Sequence, residues 1–204
     1  MFEKVILKSA HPSEYPDLEV VCRVIPNDQI GAYLDTIPAE KKFYGYKKAA
    51  VLARPGVVGE KIKTTLKTFV DGKEYILSEE ENIVKERPIK TATGKEIIMS
   101  DIVVTNHNST SNEEYIVKFE KFINTYTTLG NNEFEPVYDS RLLTQVDENV
   151  IIMTSWGAPA VCLAGSYIVT YNADANDYNT IEKGAFNSTY VIEEPDVTRK
   201  LSNN

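Results

Sequence analysis

Two pairs of carboxylates are the side chains of this sequence best suited to acid–base chemistry. Glu113 and Glu114 are adjacent in "SNEEYIV", and Asp174 and Asp177 lie in "NADANDYN". General acid–base catalysis needs one such carboxyl to be partly buried, so that its pKa moves toward neutral pH. Both pairs occupy corresponding polar loops of the repeat described below. They leave open a hydrolase or transferase that uses loop carboxylates.

A group of aromatic residues in the second half of the chain is the candidate for binding. Its members are Trp156, Tyr167, Tyr171, Tyr178 and Tyr190. Amphipathic rings near glycines and asparagines are common on surfaces that bind ligands or protein partners. The same rings are also used to fill the core of a small β-barrel. We therefore weigh a binding surface for these rings against core packing.

The sequence predicts no metal site. Neither His11 nor His107 has a cysteine or histidine at the spacing of zinc ligands. In residues 172–183, the oxygen-bearing side chains of Asn172, Asp174 and Asn176 have the spacing of the first ligands of a calcium-binding loop. However, Asp177 stands where that loop needs glycine, and Lys183 stands where it needs a bidentate glutamate. An asparagine-rich turn is the better interpretation.

Nucleophilic and cofactor chemistry are not predicted either. Cys162 lies in the apolar run "APAVCLAG", which is typical of a buried, unreactive thiol. We find neither a serine nucleophile elbow nor a glycine loop that would hold phosphates. The sequence thus predicts no cofactor and no nucleophile. It leaves catalysis undecided but favours a protein without it.

Charge and cysteine usage limit the partners and the compartment. The chain of 204 residues has 30 acidic and 22 basic side chains, a net charge of −8. Such a field repels a phosphate backbone, so we expect no nucleic-acid partner. The start of the chain does not resemble a signal peptide, and no apolar run is long enough to span a membrane. With only Cys22 and Cys162, both in apolar runs, these features predict a cytoplasmic location with reduced thiols.

A repeat organises the chain. "EKFINTY" at 120–126 resembles "GAFNSTY" at 184–190, and other matches precede each copy in the same order. The paired positions are Thr91 and Thr154, Gly94 and Gly157, Val104-Thr105 and Val169-Thr170, and "ENI" at 81–83 and "ENV" at 148–150, separated by 63 to 67 residues. The ordered series predicts an internal duplication in which Phe122 corresponds to Phe186 and Tyr126 to Tyr190.

The elements predicted around this repeat are mostly strands. Residues 18–25 and 48–56 are expected as strands, 28–37 as a short helix ended by Pro38, and 71–73 as a hairpin turn. "DIVVTN" at 101–106 and the matching "SYIVTYN" predict a strand in each copy, followed by a polar loop, a short helical turn and a closing strand. "GNNEFEP" at 130–136 is the predicted linker between the copies.

These elements predict a mainly β protein, α+β with minor helix. It consists of a tandem duplication of a small β-barrel or sheet module, preceded by a strand–helix segment. The predicted ranges are 1–45 for the N-terminal segment, 46–128 and 129–193 for the two modules, and 194–204 for a flexible tail.

Several segments of the first copy resemble small proteins of the PGDYG type. They are "ARPGVVGE" (53–60), "DIVVTN" (101–106), "EEYIV" (113–117) and "EKF" (120–122) with the tyrosine that follows. The resemblance covers about residues 46–128 and, more weakly, 148–191, although Ser100-Asp101 stands where the family has Gly-Asp. It implies a phage, prophage or other mobile-element setting, hence the cytoplasm of a host cell. It transfers no catalytic residues.

Taken together, the sequence predicts a phage- or prophage-type binding protein. It would engage a host protein or a small ligand between its two β modules, with interference with a host system as the expected outcome. Two alternatives remain open: a small hydrolase or transferase that uses the loop carboxylates, and a structural or assembly component without a ligand.

Overall fold

A computed structural model describes residues 1–107, 112–154, 157–173 and 175–194. The fold is mainly β with several sheets, one of them a half-barrel, which confirms the predicted fold class. The chain forms two compact units. Unit 1 contains residues 1–5, 20–47 and 138 onward, and unit 2 contains residues 6–19 and 48–137.

Eighteen strands and three short α-helices are present in the described residues. The strands are β1 (Phe2–Ser9), β2 (Leu18–Val24), β3 (Lys42–Lys47), β4 (Val51–Pro55), β5 (Lys61–Val70), β6 (Lys73–Ile83), β7 (Glu86–Lys90), β8 (Glu96–Ser100), β9 (Ile102–Thr105), β10 (Glu114–Val117), β11 (Tyr126–Gly130), β12 (Glu133–Pro136), β13 (Arg141–Gln145), β14 (Val150–Met153), β15 (Pro159–Cys162), β16 (Tyr167–Asn172), β17 (Asp177–Ile181) and β18 (Tyr190–Ile192). The helices are α1 (Ile30–Asp35), α2 (Phe119–Thr125) and α3 (Lys183–Thr189).

Two tight turns of unit 2 are built from residues that tolerate positive φ. Asp71 and Gly72 have φ values of 51° and 76° and join β5 to β6, which confirms the predicted hairpin. Asn131 and Asn132, with φ values of 52° and 62°, join β11 to β12 in the same way. Positive φ at both central residues matches the twist of the flanking strands. The predicted linker at 130–136 is therefore wrong, because this segment is a β-hairpin.

The N-terminal elements agree with their predictions. β2 occupies almost all of the predicted strand, and a 3₁₀ turn at Asn27–Gln29 leads into α1. The helix ends before Pro38, which cannot donate a backbone hydrogen bond. Its apolar side chains Ile30, Tyr33 and Leu34 are buried, as expected for residues on one helical face, and Ile37, two residues beyond the helix, is buried with them.

The main sheet of unit 1 has five strands in the order β17-β16-β13-β3-β18, and all neighbours are antiparallel. Helix α3 connects β17 to β18. Leu143, Val169, Tyr167 and Phe186 form the buried cluster on one face of this sheet. A separate hairpin of β14 and β15 extends onto β2 through a parallel pairing.

The main sheet of unit 2 has the order β10-β9-β4-β12-β11 and is also antiparallel throughout. Helix α2 connects β10 to β11, and Val51, Val104 and Phe122 lie in the buried cluster of this sheet. The long hairpin of β5 and β6 pairs with the end of β1, and β7 pairs with β8.

The two five-stranded sheets have the same spatial order of strands. β9, β10, α2 and β11 correspond to β16, β17, α3 and β18, while β4 corresponds to β13 and β12 to β3. Each helix has seven residues and carries one buried phenylalanine. Phe122 stacks on Tyr126 with ring centroids 5.0 Å apart, and Phe186 stacks on Tyr190 at 5.6 Å. This shared order of strands and helix agrees with the predicted duplication.

Hydrogen bonds in the turns agree with the alignment. The backbone N–H of Gly94 donates to Thr91 and that of Gly157 to Thr154, so both turns are closed in the same way. One predicted match is not equivalent. "ENI" at 81–83 ends β6, whereas "ENV" at 148–150 leads into β14, because the β5–β6 hairpin is present in unit 2 alone.

The units differ in how their last sheet strand is connected. In unit 2, β12 follows β11 directly in the chain. In unit 1 its counterpart, β3, comes before all the other strands of the sheet, which begin with β13. Residues 42–47 therefore complete a sheet whose other strands begin at residue 141. The two units consequently divide the chain differently from the ranges 1–45, 46–128 and 129–193, since residues 1–45 contribute to both. No helix of the described residues is long and apolar enough to cross a membrane.

Candidate functional site

The predicted aromatic site residues are distributed over the cores of unit 1. Tyr178 is 2% exposed, and Tyr167 is also buried, in a different cluster of side chains. Tyr190 packs against Phe186. Tyr171 is 40% exposed, and the guanidinium of Arg141 lies 5.1 Å from the centre of its ring. Trp156 is outside the described residues. The described rings thus serve mostly as core packing.

The predicted acid–base residues contact different neighbours. Glu113 accepts a hydrogen bond from the side-chain amide of Asn106 at 3.2 Å. Glu114 accepts one from the hydroxyl of Thr105, also at 3.2 Å. Asp177 begins β17 in unit 1, and Asp174 is outside the described residues. The two glutamates therefore do not share one acid–base arrangement.

Buried thiols and metal ligands offer no alternative site. Burial raises the pKa of the Cys162 thiol far above its ordinary value, with a smaller contribution from Cys22. A thiol held in this neutral form is a poor nucleophile. Within the part of the chain that the structure describes, no group of three or more acidic, histidine or cysteine side chains could hold a metal ion.

An open cleft of about 330 Å³ lies on the five-stranded sheet of unit 2. Its lining consists of Leu52, Ala53, Arg54, Val103, Thr105, Asn131 and Asn132. This volume is at the lower end of the range for small-ligand sites, about 300 to 1,000 Å³. We call this surface the β4–β9 cleft.

The register of two central strands creates the β4–β9 cleft. Leu52 of β4 lies opposite Thr105 of β9, and Arg54 lies opposite Val103. Alternate residues of a strand share a face, so these four side chains lie together on one side of the sheet. The backbone N–H of Ala53 donates to the carbonyl of Asn132 at 2.9 Å, which holds the β11–β12 turn beside β4.

Arg54 is the one basic side chain of the lining, and Glu60 neutralises it. The two guanidinium nitrogens Nη1 and Nη2 donate to the Glu60 carboxylate at 2.9 and 2.5 Å. Hydrogen bonds from Arg54 and then from the Val57 backbone lower the pKa of Glu60 to about 2. The hydrogen bond to Glu60 is also the largest factor that raises the pKa of Arg54, and the nearby Glu114 adds to it.

Further carboxylates make the surroundings of the cleft acidic. Glu114 of β10 lies opposite Thr105 of β9. Glu133 of β12 lies opposite Leu52 of β4. Because Arg54 is already paired with Glu60, the charges of Glu114 and Glu133 are not balanced by the lining. The β4–β9 cleft therefore combines an apolar floor with a negative rim.

The equivalent surface of unit 1 is only partly buried, since Leu142, which matches Leu52, is half-buried and Tyr44, which matches Glu133, is 52% exposed. Strand correspondence places Thr144 where unit 2 has Arg54, and Tyr178 where unit 2 has Glu114. Thr144 is 1% exposed. Tyr178 belongs to the cluster that contains the apolar residues of α1. A methyl group added at Gly31 of α1 would lie 3.3 Å from the Tyr178 hydroxyl, so this helix packs directly against the ring.

The same surface of unit 2 is only partly covered. Ile62 of β5 and Val84 bury Val103, in a cluster that Ile116 joins. Leu52 nevertheless remains 41% exposed, and the Arg54 side chain remains 43% exposed. The clearest difference between the two copies is at Arg54, which is largely exposed in unit 2, and its counterpart Thr144, which is buried in unit 1.

The amino-acid sequence does not predict this cleft, because its lining comes from strands that are distant in the chain. "VLARPG" predicts a strand, and the alternation of buried Val51 and Ala53 with exposed Leu52 and Arg54 is present in it. That alternation indicates which residues face outward. It does not indicate that β9, β12 and an asparagine turn surround them.

Comparison with known proteins adds no relative: no protein-family model matches the sequence, and neither the curated proteins nor the solved structures contain a match.

Proposed function

We propose that this chain is a binding protein and that the β4–β9 cleft of unit 2 receives a segment of its partner. One observation supports the proposal above all others. Leu52 and Arg54 remain exposed on the outer face of the unit 2 sheet, beside an open cleft of about 330 Å³. An exposed apolar side chain in a cleft with hydrogen-bonding neighbours is a natural contact point for a partner.

The composition of the cleft also favours binding over acid–base catalysis. Leu52 and Val103 supply apolar area, and Thr105 and the two asparagines of the turn supply hydrogen-bonding groups. An apolar floor with a few polar groups is typical of recognition sites. Glu60 is held ionised by Arg54, so it is poorly suited to donate a proton near neutral pH.

The resemblance to PGDYG-type proteins gives this proposal its setting. If the chain belongs to a phage or prophage, its partner is a host protein in the cytoplasm, and occupation of the cleft interferes with that partner. This part of the proposal rests on the sequence segments alone.

A selection experiment tests the proposal without a known partner. A displayed library of random 16-residue peptides is selected on the full chain, and the affinities of the recovered peptides are measured by calorimetric titration. Two variants locate the binding: Leu52→Asp changes the cleft, and Leu129→Asp changes an exposed leucine on β11 outside its lining.

We expect the selected peptides to lose at least about tenfold in affinity on Leu52→Asp and less than about twofold on Leu129→Asp, because buried apolar contacts carry most binding energy. A selection that recovers no specific peptide contradicts the proposal. So does a set of peptides that bind Leu52→Asp as well as they bind the parent chain.

A further inference from the structure

We infer that the segment received by the β4–β9 cleft carries two basic side chains, one on either side of an apolar residue. The inference rests on the proposed function and adds the charge pattern of the partner. Three observations support it: a row of residues that crosses the cleft, the carboxylates that no basic side chain balances, and the polar groups of the lining.

The first observation is a row of four residues that runs across the sheet. Glu133 of β12 lies opposite Leu52 of β4, which in turn lies opposite Thr105 of β9. Thr105 lies opposite Glu114 of β10. Side chains directly opposite one another in antiparallel strands share a face of the sheet. The row therefore places an exposed leucine and a threonine between two carboxylates, all on the face that carries the cleft.

The length of this row sets the spacing of the groups that match it. β10, β9, β4 and β12 are consecutive strands of the sheet. Because neighbouring strands lie about 4.8 Å apart, the two ends of the row are separated by about 14 Å. An extended segment of five residues spans about 13 Å, and its first, third and fifth side chains lie on one side. A basic residue at each end and an apolar residue in the middle therefore match the row.

The second observation is the charge balance of the cleft. Both terminal nitrogens of the Arg54 guanidinium donate to the Glu60 carboxylate. Among the described residues, neither Glu114 nor Glu133 forms an ion pair with a lysine, arginine or histidine. Arg54 already has a carboxylate partner, so it leaves these two charges largely unbalanced. Opposite charges on a partner are favoured at such positions, and acidic competitors are repelled.

The third observation is the set of polar groups in the lining. An extended segment on the face of a sheet has backbone N–H and C=O groups that need hydrogen-bond partners. The side-chain amides of Asn131 and Asn132 and the hydroxyl of Thr105 line the cleft. Amides and hydroxyls can both donate and accept hydrogen bonds. The cleft thus offers an extended segment backbone partners between the two carboxylates.

The same charges argue against a second copy of this chain as the occupant. The chain has a net charge of −8. Two copies that met through this face would bring the carboxylates of Glu114 and Glu133 toward an equally acidic partner, and like charges across an interface are unfavourable. The occupant that fits the cleft is therefore a basic segment of another protein.

Two displayed libraries of short peptides test the charge pattern. Their members have random sequence around a five-residue core with an apolar residue at its centre. The first and last positions of the core are lysine in one library and glutamate in the other. Both libraries are selected on the full chain. Calorimetric titration then gives the affinities of the recovered peptides in low salt and in about 0.5 M salt.

Variants of the chain locate the charges that matter. The double variant Glu114→Gln and Glu133→Gln removes both carboxylates and keeps an oxygen that can accept the Thr105 hydrogen bond. The control is the double variant Glu96→Gln and Glu120→Gln, which changes the net charge equally outside the lining. Glu120 lies on α2, which packs on the other face of the sheet through its phenylalanine. Melting temperatures check that each variant is folded.

We expect specific peptides from the lysine library alone. Their affinity should fall at least about fivefold on the Glu114 and Glu133 double variant and stay within about twofold on the control, since each exposed ion pair contributes modestly. It should also fall in high salt, because exposed charges are screened. The reversed variant Glu114→Lys and Glu133→Lys should select glutamate peptides instead. If this variant does not fold, the glutamine variants still decide the question.

Several results would overturn the inference. Equal recovery from both libraries of peptides that need Leu52 removes the charge pattern and leaves the binding function standing. Lysine peptides that bind the Glu114 and Glu133 double variant as tightly as the parent do the same. Lysine peptides whose binding survives Leu52→Asp contact the acidic surface elsewhere. A dimer of the free chain that sedimentation shows to depend on Leu52 assigns the cleft to a second copy. If neither these libraries nor the random library yields a peptide that depends on Leu52, the binding function falls as well.

Discussion

Units 1 and 2 place bulky side chains at different positions of the same sheet. Phe134 on β12 contacts Phe122, with ring centroids 4.9 Å apart. At the matching position of β3 stands Gly45, and there the space is filled from β16, where the Tyr167 ring stacks on Phe186 at 3.8 Å. The position that matches Tyr167 in unit 2 is Ile102. The bulky side chain thus comes from a different strand in each unit, although the order of the strands is the same, and both arrangements fill the interior as close packing requires.

The units also differ in what covers their outer faces. Unit 1 uses α1 and the β14–β15 hairpin, and unit 2 uses the inserted β5–β6 hairpin. A duplicated sheet can therefore keep one core and still offer different surfaces. The difference also indicates where each unit is sensitive to substitution: both are sensitive in the phenylalanine core, whereas the outer faces should respond differently.

The largest expected effect is common to both units. Phe122→Ala and Phe186→Ala should each lower the free energy of unfolding by about 3–5 kcal/mol, because both rings are buried and leave a cavity. Urea denaturation followed by circular dichroism measures the loss, and hydrogen exchange assigns it to a unit. If either variant is as stable as the parent, the two phenylalanines are not equivalent core residues.

The next prediction exchanges matching residues of the outer faces. Thr144→Arg in unit 1 should cost at least about 3 kcal/mol, because it buries an unpaired charge. Arg54→Thr in unit 2 should cost only a small fraction of that, because this side chain is largely exposed. Urea denaturation of both variants gives the comparison. Similar losses would mean that the two faces are covered to the same extent.

A smaller effect is expected from the strand position that differs between the units. Gly45→Ala should cost about 1–3 kcal/mol, since the new methyl group would lie 2.7 Å from Leu143 Cδ1 and from the Val191 carbonyl oxygen. In the double variant with Leu143→Val the two losses should sum to more than the measured loss, because one of the two clashes is relieved. Thermal denaturation provides the values, and strictly additive losses would argue against this contact.

The smallest effect concerns the rim of the cleft and depends on pH. The pKa of Glu60 is lowered from 4.5 to about 2 in the folded chain. Its stabilising contribution is therefore complete above about pH 4.5 and is lost as the pH falls toward 2. Melting temperatures of the parent and of Glu60→Gln should differ at pH 7 and converge between pH 4.5 and 2. Curves that stay parallel over this range, or a difference that persists in an Arg54→Gln background, would show that the ion pair is not the cause.

Much of the local architecture can be inferred from the residues alone. The repeated phenylalanine and tyrosine at 122 and 126 and at 186 and 190 indicate the duplication, and Asp71-Gly72 indicates a tight hairpin. These features depend on the periodicity of side chains and on backbone conformations that few residue types adopt. Both can be read from a few neighbouring residues of the sequence.

Long-range pairing determines the remainder. The alternating pattern of β3 is compatible with any neighbouring strand, and its place between β13 and β18 depends on the free energy of the whole sheet. The same holds for Tyr178, which is buried in the cluster that contains the apolar side chains of α1, and for Leu52, which remains 41% exposed. Burial is a property of what other segments pack against a residue. The cleft is therefore determined by tertiary packing and not by the local sequence.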